Sequence, residues 1–158
     1  MDNFFHHRRL DNGVNLYIYP TKKYKTTSIC VFLHTNLSSG TATKTALLPQ
    51  VLKRGTQSFT SSRKLNLYLE DLYGAKLGAD VLKRGEVQTI QLFLSLVDTE
   101  YTSDNSILDD TIFALKELLL NPLVENGGFK PSYLDQEKEV LKRNIEALYS
   151  NKMAYSLE

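Results

Sequence analysis

Tryptophan is absent from the 158 residues, and cysteine, histidine and proline are scarce, at one, three and four copies. Each scarcity excludes something. A lone thiol closes no internal disulfide. Cys30 lies in the apolar run Ile29-Cys30-Val31-Phe32-Leu33 and is expected to be buried and inert, as suits a reducing compartment. His6 and His7 are neighbours on a strand-like run, so their side chains point to opposite faces and share no ion. His34 stands alone at a strand end, where a surface or hydrogen-bonded histidine is expected. With no ligand spacing among these residues, no zinc site is evident. A membrane helix needs roughly 18 consecutive apolar residues, and no run approaches that. The first residues carry no leader pattern either, so cytoplasmic is the expected location. Phosphate loops of the Gly-x-x-x-x-Gly-Lys-Ser/Thr or Gly-x-Gly-x-x-Gly kind are missing, as is a Gly-x-Ser-x-Gly elbow.

Charge of one sign is also lacking. Nineteen basic and 18 acidic side chains leave a net charge of +1, which gives no electrostatic reason to expect nucleic acid or membrane as a partner. Tyr17, Tyr19, Tyr24, Tyr68 and Tyr73 are numerous, but without clustered basic residues they make no stacking surface for bases. On the last helix, Glu137 and Glu139 with Lys138, Lys142 and Arg143 form ordinary i,i+4 spacings and read as a solvated face.

What remains is an ordinary globular composition, 42% hydrophobic and 23% charged, long enough for one domain with a real core. Phe4 to Arg9 reads as a strand. Asp11-Asn12-Gly13 turns it into a second, Val14 to Tyr19, closed by Pro20. Lys22, Lys23 and Lys25 crowd the next loop. Thr26 to Leu37 makes a third strand, rich in β-branched residues. Thr41 or Thr43 then caps a helix that Gly55 stops, with Pro49 forcing a kink or a late start. A second helix follows Thr60-Ser61-Ser62 and aligns Leu65, Leu69 and Leu72. Strands Ala75–Leu82 and Glu86–Val97 form a hairpin, with Ile90, Leu92, Leu94 and Leu96 facing the core. The third helix, Leu108 to Leu120, is expected to bury Ile112, Leu115 and Leu119, flanked by Leu108 and Leu118; Asn121-Pro122 ends it. After a loop at Gly127-Gly128, a long charged helix carries Leu134, Val140, Leu141, Ile145 and Leu148. The order βββααββαα describes an α+β fold, an antiparallel-dominated sheet with helices on one face.

The order of elements, Leu52-Lys53-Arg54-Gly55-Thr56 after the first helix, Leu72-Tyr73-Gly74-Ala75 before the hairpin and Asn121-Pro122 after the third helix resemble the N-terminal domain of the M16 peptidases. That family includes pitrilysin, insulin-degrading enzyme and the mitochondrial processing peptidase. Active members carry His-x-x-Glu-His just before the Gly-Thr stretch. Two imidazoles one turn apart bind zinc, the glutamate activates the bound water, and a glutamate from a later helix completes the site. The resemblance puts Ala46 and Gln50 at the histidine positions, Pro49 at the glutamate and Asn144, within Glu139-Val140-Leu141-Lys142-Arg143-Asn144-Ile145, at the later ligand.

A methyl group and a proline ring neither ligate nor take a proton, and an amide oxygen suits harder ions than zinc. The resemblance therefore implies a degenerate bacterial member with no catalytic residue, no metal and no cofactor. It also implies that residues 1–158 are one domain of a longer, multi-domain chain. The expected role is binding peptide or unfolded polypeptide, or pairing with an active M16 paralogue as a homo- or hetero-oligomer in proteolytic processing. In the family an exposed strand edge near the metal holds extended substrate, and the hairpin 75–97 is a candidate for it. The competing readings are an active zinc metalloendopeptidase with relocated ligands and a purely structural assembly module.

Overall fold

Alternation along Val87–Val97 decides the architecture, because this strand sits at the centre of the main sheet. The structure, a computed structural model, describes residues 5–150. Strand β1 (His6–Arg9) pairs antiparallel with β2 (Asn15–Ile18), as a hairpin set apart from the main sheet. That sheet has the order β3 (Thr26–Asn36), β5 (Val87–Val97), β4 (Lys76–Arg84), antiparallel throughout. Ile90, Leu92, Leu94 and Leu96 on β5 are buried, Leu92 and Leu94 completely, and this is the face expected from the sequence. Leu92, Leu94 and Leu96 join a core formed with Leu52 of α1 (Ala42–Leu52), Leu65 and Leu69 of α2 (Ser62–Asp71), and Ile107, Ala114, Leu115 and Leu118 of α3 (Ile107–Leu120). A two-residue hairpin, β6 (Val124–Glu125) and β7 (Gly128–Phe129), leads into α4 (Pro131–Ser150).

The fold is α+β with antiparallel sheets and four helices, and it departs from the expected arrangement in several places. The strands fall into three separate sheets among the described residues. The segment around Gly127-Gly128 is a hairpin whose Asn126-Gly127 pair has φ of 52° and 80°, as a type I′ turn requires. An Asn-Gly pair between short extended runs is the signal for it.

Cys30 is exposed, not buried. Ile29 and Val31 take the core side of β3, so strict alternation turns Cys30 outward, opposite Phe93. On α3 the buried set is Ile107, Thr111, Ala114, Leu115, Glu117 and Leu118, so Leu115 and Leu118 are buried as expected, while Ile112 is 42% exposed. Two stripes fit the same 3.6-residue period. The one with Thr111 and Ala114 faces the core, where small side chains let the helix approach β5 closely. Of the remaining expectations, Phe4 lies outside the described residues, and so does the side chain of Leu148.

Candidate functional site

Helix α1 begins at Ala42, with Thr41 at the N-cap; the Thr41 amide bonds the Ser38 carbonyl at 3.0 Å. Pro49 neither stops the helix nor delays its start. It sits three residues before the end with its ring fully buried. Lacking an N–H, it leaves the Thr45 carbonyl without its i+4 donor. Ala46 and Gln50 are half-buried and stand one turn apart on one side of the helix. A methyl group, a pyrrolidine ring and a neutral amide are therefore what α1 offers here. Zinc does not fit such a donor set. Among the described residues, no group of three or more His, Cys, Asp or Glu side chains is placed to hold a metal ion.

The helix ends in a tightly tied loop. The Lys53 amide bonds the Pro49 carbonyl at 3.3 Å and the Arg54 amide bonds Val51 at 3.0 Å. A Cβ at Gly55 would lie 3.1 Å from the Phe59 carbonyl oxygen, tighter than most real contacts, so glycine suits the close approach. Thr56 is fully buried: its amide donates to the Phe59 carbonyl at 2.8 Å and its hydroxyl accepts from the Phe59 amide at 3.0 Å.

This loop is then bonded to the end of α3. Gln57 donates to the Asn121 carbonyl (2.9 Å), Leu123 donates to the Gly55 carbonyl (3.1 Å), and Thr56 and Pro122 form an antiparallel bridge. Two of the short sequence motifs thus meet in space and brace one another.

Glu117 closes the brace. Its carboxylate, 4% exposed, accepts from the Ser58 amide at 3.0 Å and from the Asn121 side-chain amide at 2.6 Å. Burial pushes this carboxyl up, but the hydrogen bonds from Ser58, Asn121 and Thr56 outweigh it, so the group titrates below the usual carboxylate range. Glu117 was not visible as a functional position in the sequence, since it looks like any helical glutamate. The third motif, Leu72-Tyr73-Gly74-Ala75, is the turn that ends α2. Tyr73 and Gly74 adopt φ of 55° and 72°, and the Gly74 amide bonds Glu70 at 3.1 Å.

Helix α4 packs against α1. Glu137, expected on a solvated face, is buried and ion-paired with Arg54, whose Nε and Nη2 both reach Oε1. The pair joins the loop after α1 to the first turns of α4. Asn144 is exposed; seven residues, or two turns, beyond Glu137, it projects from the same side of α4.

Two open clefts flank the α1–α4 seam. One, of about 420 Å³, is lined by Arg54, Asp135, Gln136, Glu139, Val140 and Arg143. The other, of about 350 Å³, runs between Thr43 and Leu47 on α1 and Lys138, Leu141, Lys142 and Ile145 on α4. Arg143 turns its Nε to the Glu139 backbone carbonyl at 3.3 Å, not to a carboxylate.

The remaining candidates are accounted for locally. His34 meets the Thr89 hydroxyl at 2.9 Å, and His7 stacks on Tyr17 and bonds Asn15 at 3.1 Å. In the main sheet β4 is an edge strand and α1 packs against it, so an unpaired strand edge runs beside α1 among the described residues.

No protein-family model matches the chain. It is 38% identical over 145 residues to a Bacillus subtilis (strain 168) protein named "Probable inactive metalloprotease YmfF". The match covers 91% of this chain and 34% of that protein. The fold superimposes on a crystal structure of a conserved protein from Enterococcus faecalis V583 with a TM-score of 0.90 and 32% identity. That match covers 96% of this chain and 36% of the other. The chain thus spans about a third of the length of the proteins it resembles, one of them named a probable inactive metalloprotease.

Proposed function

We infer that this chain is an M16-type peptidase domain without catalytic zinc, the N-terminal domain of a longer chain. In this reading it works in the cytoplasm by binding peptide or by pairing with an active M16 partner. The observation that carries it is α1. The resemblance puts Ala46 and Gln50 at the positions of the two histidines of an active member and Pro49 at that of the general base; on α1 the first two are half-buried one turn apart and Pro49 is buried. The helix that would present the ligands, its Gly-Thr stop and the α4 partner with Asn144 are kept while the donors are gone. The similarity to a protein named a probable inactive metalloprotease supports the same conclusion.

Loss of zinc leaves the backbone untouched. Among the described residues no strand pairs with the outer edge of β4, which leaves main-chain groups for an extended peptide apart from the Val81 amide, bonded to the Asp80 side chain at 2.8 Å; such binding needs no metal.

Metal analysis and a peptide-hydrolysis assay on the purified protein test this directly. We expect far less than one zinc per chain and no chelator-sensitive cleavage. The double variant Ala46→His/Gln50→His is also expected to be inactive, because Pro49 supplies no base. Stoichiometric zinc with peptidase activity in the unmodified protein overturns the reading. Co-purification with a chain that carries an intact His-x-x-Glu-His, or saturable binding of unfolded peptide, separates it from a purely structural module.

A further inference from the structure

An asparagine followed by a small residue modifies itself without an enzyme. The backbone nitrogen of the following residue attacks the side-chain carbonyl carbon. A carbon–nitrogen bond forms, the bond to the side-chain nitrogen breaks, and ammonia leaves with the proton that the amide gave up. Water then opens the cyclic imide at either carbonyl, giving aspartate or isoaspartate, the latter with an extra methylene in the main chain. No oxidant or cofactor takes part. Attack is easiest where the next residue is small and flexible, so the candidates among the described residues are Asn12-Gly13, Asn105-Ser106 and Asn126-Gly127. The other asparagines there precede Leu, Ile or Pro.

Hydrogen bonds separate the three. At Asn12 both reacting groups are held: the Gly13 amide donates to the Leu10 carbonyl at 2.9 Å, and the Asn12 side-chain oxygen accepts from the Val14 amide at 3.2 Å. At Asn105 the attacking amide, that of Ser106, donates to the Asp104 carboxylate at 2.8 Å. At Asn126, among the described residues, neither the side chain nor the Gly127 amide has a hydrogen-bond partner. A type I′ turn keeps the Gly127 nitrogen away from the Asn126 side chain, so ring closure needs the turn to open. Little holds it. Strands β6 and β7 pair at two positions, Val124 with Phe129 and Glu125 with Gly128, against four positions in β1–β2. A second glycine, Gly128, widens the range of conformations that the opened turn samples.

We propose that Asn126 is a self-modification site, which cyclises with Gly127 and opens to aspartate or isoaspartate, and that the isoaspartyl product unfastens the start of α4. A two-residue hairpin turn has no room for an added main-chain methylene, so the β6–β7 pairing is lost with it. Phe129, which packs on the core, stands two residues beyond the turn. Next to it the Lys130 carbonyl accepts from the Tyr133 and Leu134 amides at 3.0 and 3.1 Å, and so fixes the first turn of α4. The Lys130–Glu125 ion pair, at 3.4 Å, spans the same hairpin. Helix α4 thus loses its support at this end and keeps the Arg54–Glu137 pair. The inference does not rest on the reading of α1, and the bonds it compares all lie within this chain.

The test holds the whole chain folded at mildly alkaline pH, where the attacking amide loses its proton more readily, and digests samples at intervals. Mass spectrometry with chromatographic separation of aspartyl and isoaspartyl peptides follows positions 12, 105 and 126. Conversion at Asn126 is expected to run roughly tenfold or more faster than at Asn12 or Asn105. In urea, Asn12 and Asn126, each between an acidic residue and a glycine, should react at matching rates. Equal rates in the folded chain overturn the proposal, as does faster conversion at Asn12 or Asn105. So does an unchanged ratio in urea, which would mean that sequence and not the fold sets the order. The isoaspartyl form should then exchange amides faster over residues 129–134 than the variant Asn126→Asp, which adds the same charge to an unaltered main chain. Identical exchange in the two overturns the release of α4.

Discussion

Burial and hydrogen bonding pull the Glu117 carboxyl in opposite directions, and hydrogen bonding wins. The consequence for stability has a definite sign. A carboxyl whose folded pKa is depressed stabilises the fold above its ordinary value of 4.5 and loses that contribution as pH falls through the folded pKa. Replacing Glu117 by Ala leaves the Ser58 amide and the Asn121 side chain without a charged acceptor, at a cost of about 2 kcal/mol near neutral pH. Urea unfolding of the parent and Glu117→Ala proteins at neutral pH and again below pH 4.5 should show this gap narrowing in acid. A gap that stays constant with pH would mean that the side chain matters by its volume and not its charge. The work of Glu117 is mechanical: it fixes the loop after α1 to the end of α3, and so sets where α1 lies.

At the level of whole elements, α3 separates what periodicity tells from what it does not. The period of 3.6 residues was legible, and so was the helix end at Asn121-Pro122. How far the buried face extends was not: Leu115 and Leu118 are buried and Leu108 and Leu119 pack on the core as expected, but Ile112 turns to water while Ile107, Thr111 and Ala114 complete the inner face. Burial of Thr111 and Ala114, both fully enclosed, sets the inner face of a helix that packs against β5. Leu118→Ala should therefore cost about 2–5 kcal/mol, and Ile112→Ala less than about 0.5 kcal/mol. Thermal unfolding of the two variants ranks them, and the opposite order would restore the stripe expected from sequence.

The same logic explains Cys30. An apolar run looks buried on both sides, yet Ser28, Cys30 and Phe32 on the outer face of β3 are exposed. The candidate site shows the complement. Ala46, Pro49 and Gln50 were legible because the spacing of a ligand motif is local. The Arg54–Glu137 pair was not, since its partners are 83 residues apart and each has an unremarkable neighbourhood in sequence.

For the molecule as a whole, the question is how α4 is held, because α4 forms one wall of both clefts at the α1 seam. Its close backbone neighbours are α1 and β7, and it contributes little to the core built on β5. The Arg54–Glu137 pair is therefore an anchor at the start of a long helix, reinforced by the Tyr133 hydroxyl at 3.5 Å from the Thr60 carbonyl. Breaking a fully buried pair by removing one partner costs about 3–5 kcal/mol. Arg54 is 32% exposed, and its solvation offsets part of that, which leaves about 1–2 kcal/mol for Arg54→Ala.

More telling than the size is where the loss falls. If α4 is a separately opening layer, amide exchange in Arg54→Ala should quicken between residues 134 and 147 while β5 keeps its protection. Uniform quickening across β5 and α4 would instead make the helix part of a single cooperative core. A loosened α4 would also widen the seam beside α1 and β4. The variant should then bind unfolded peptide with altered affinity if the groove lies at that seam, and with unchanged affinity if it does not.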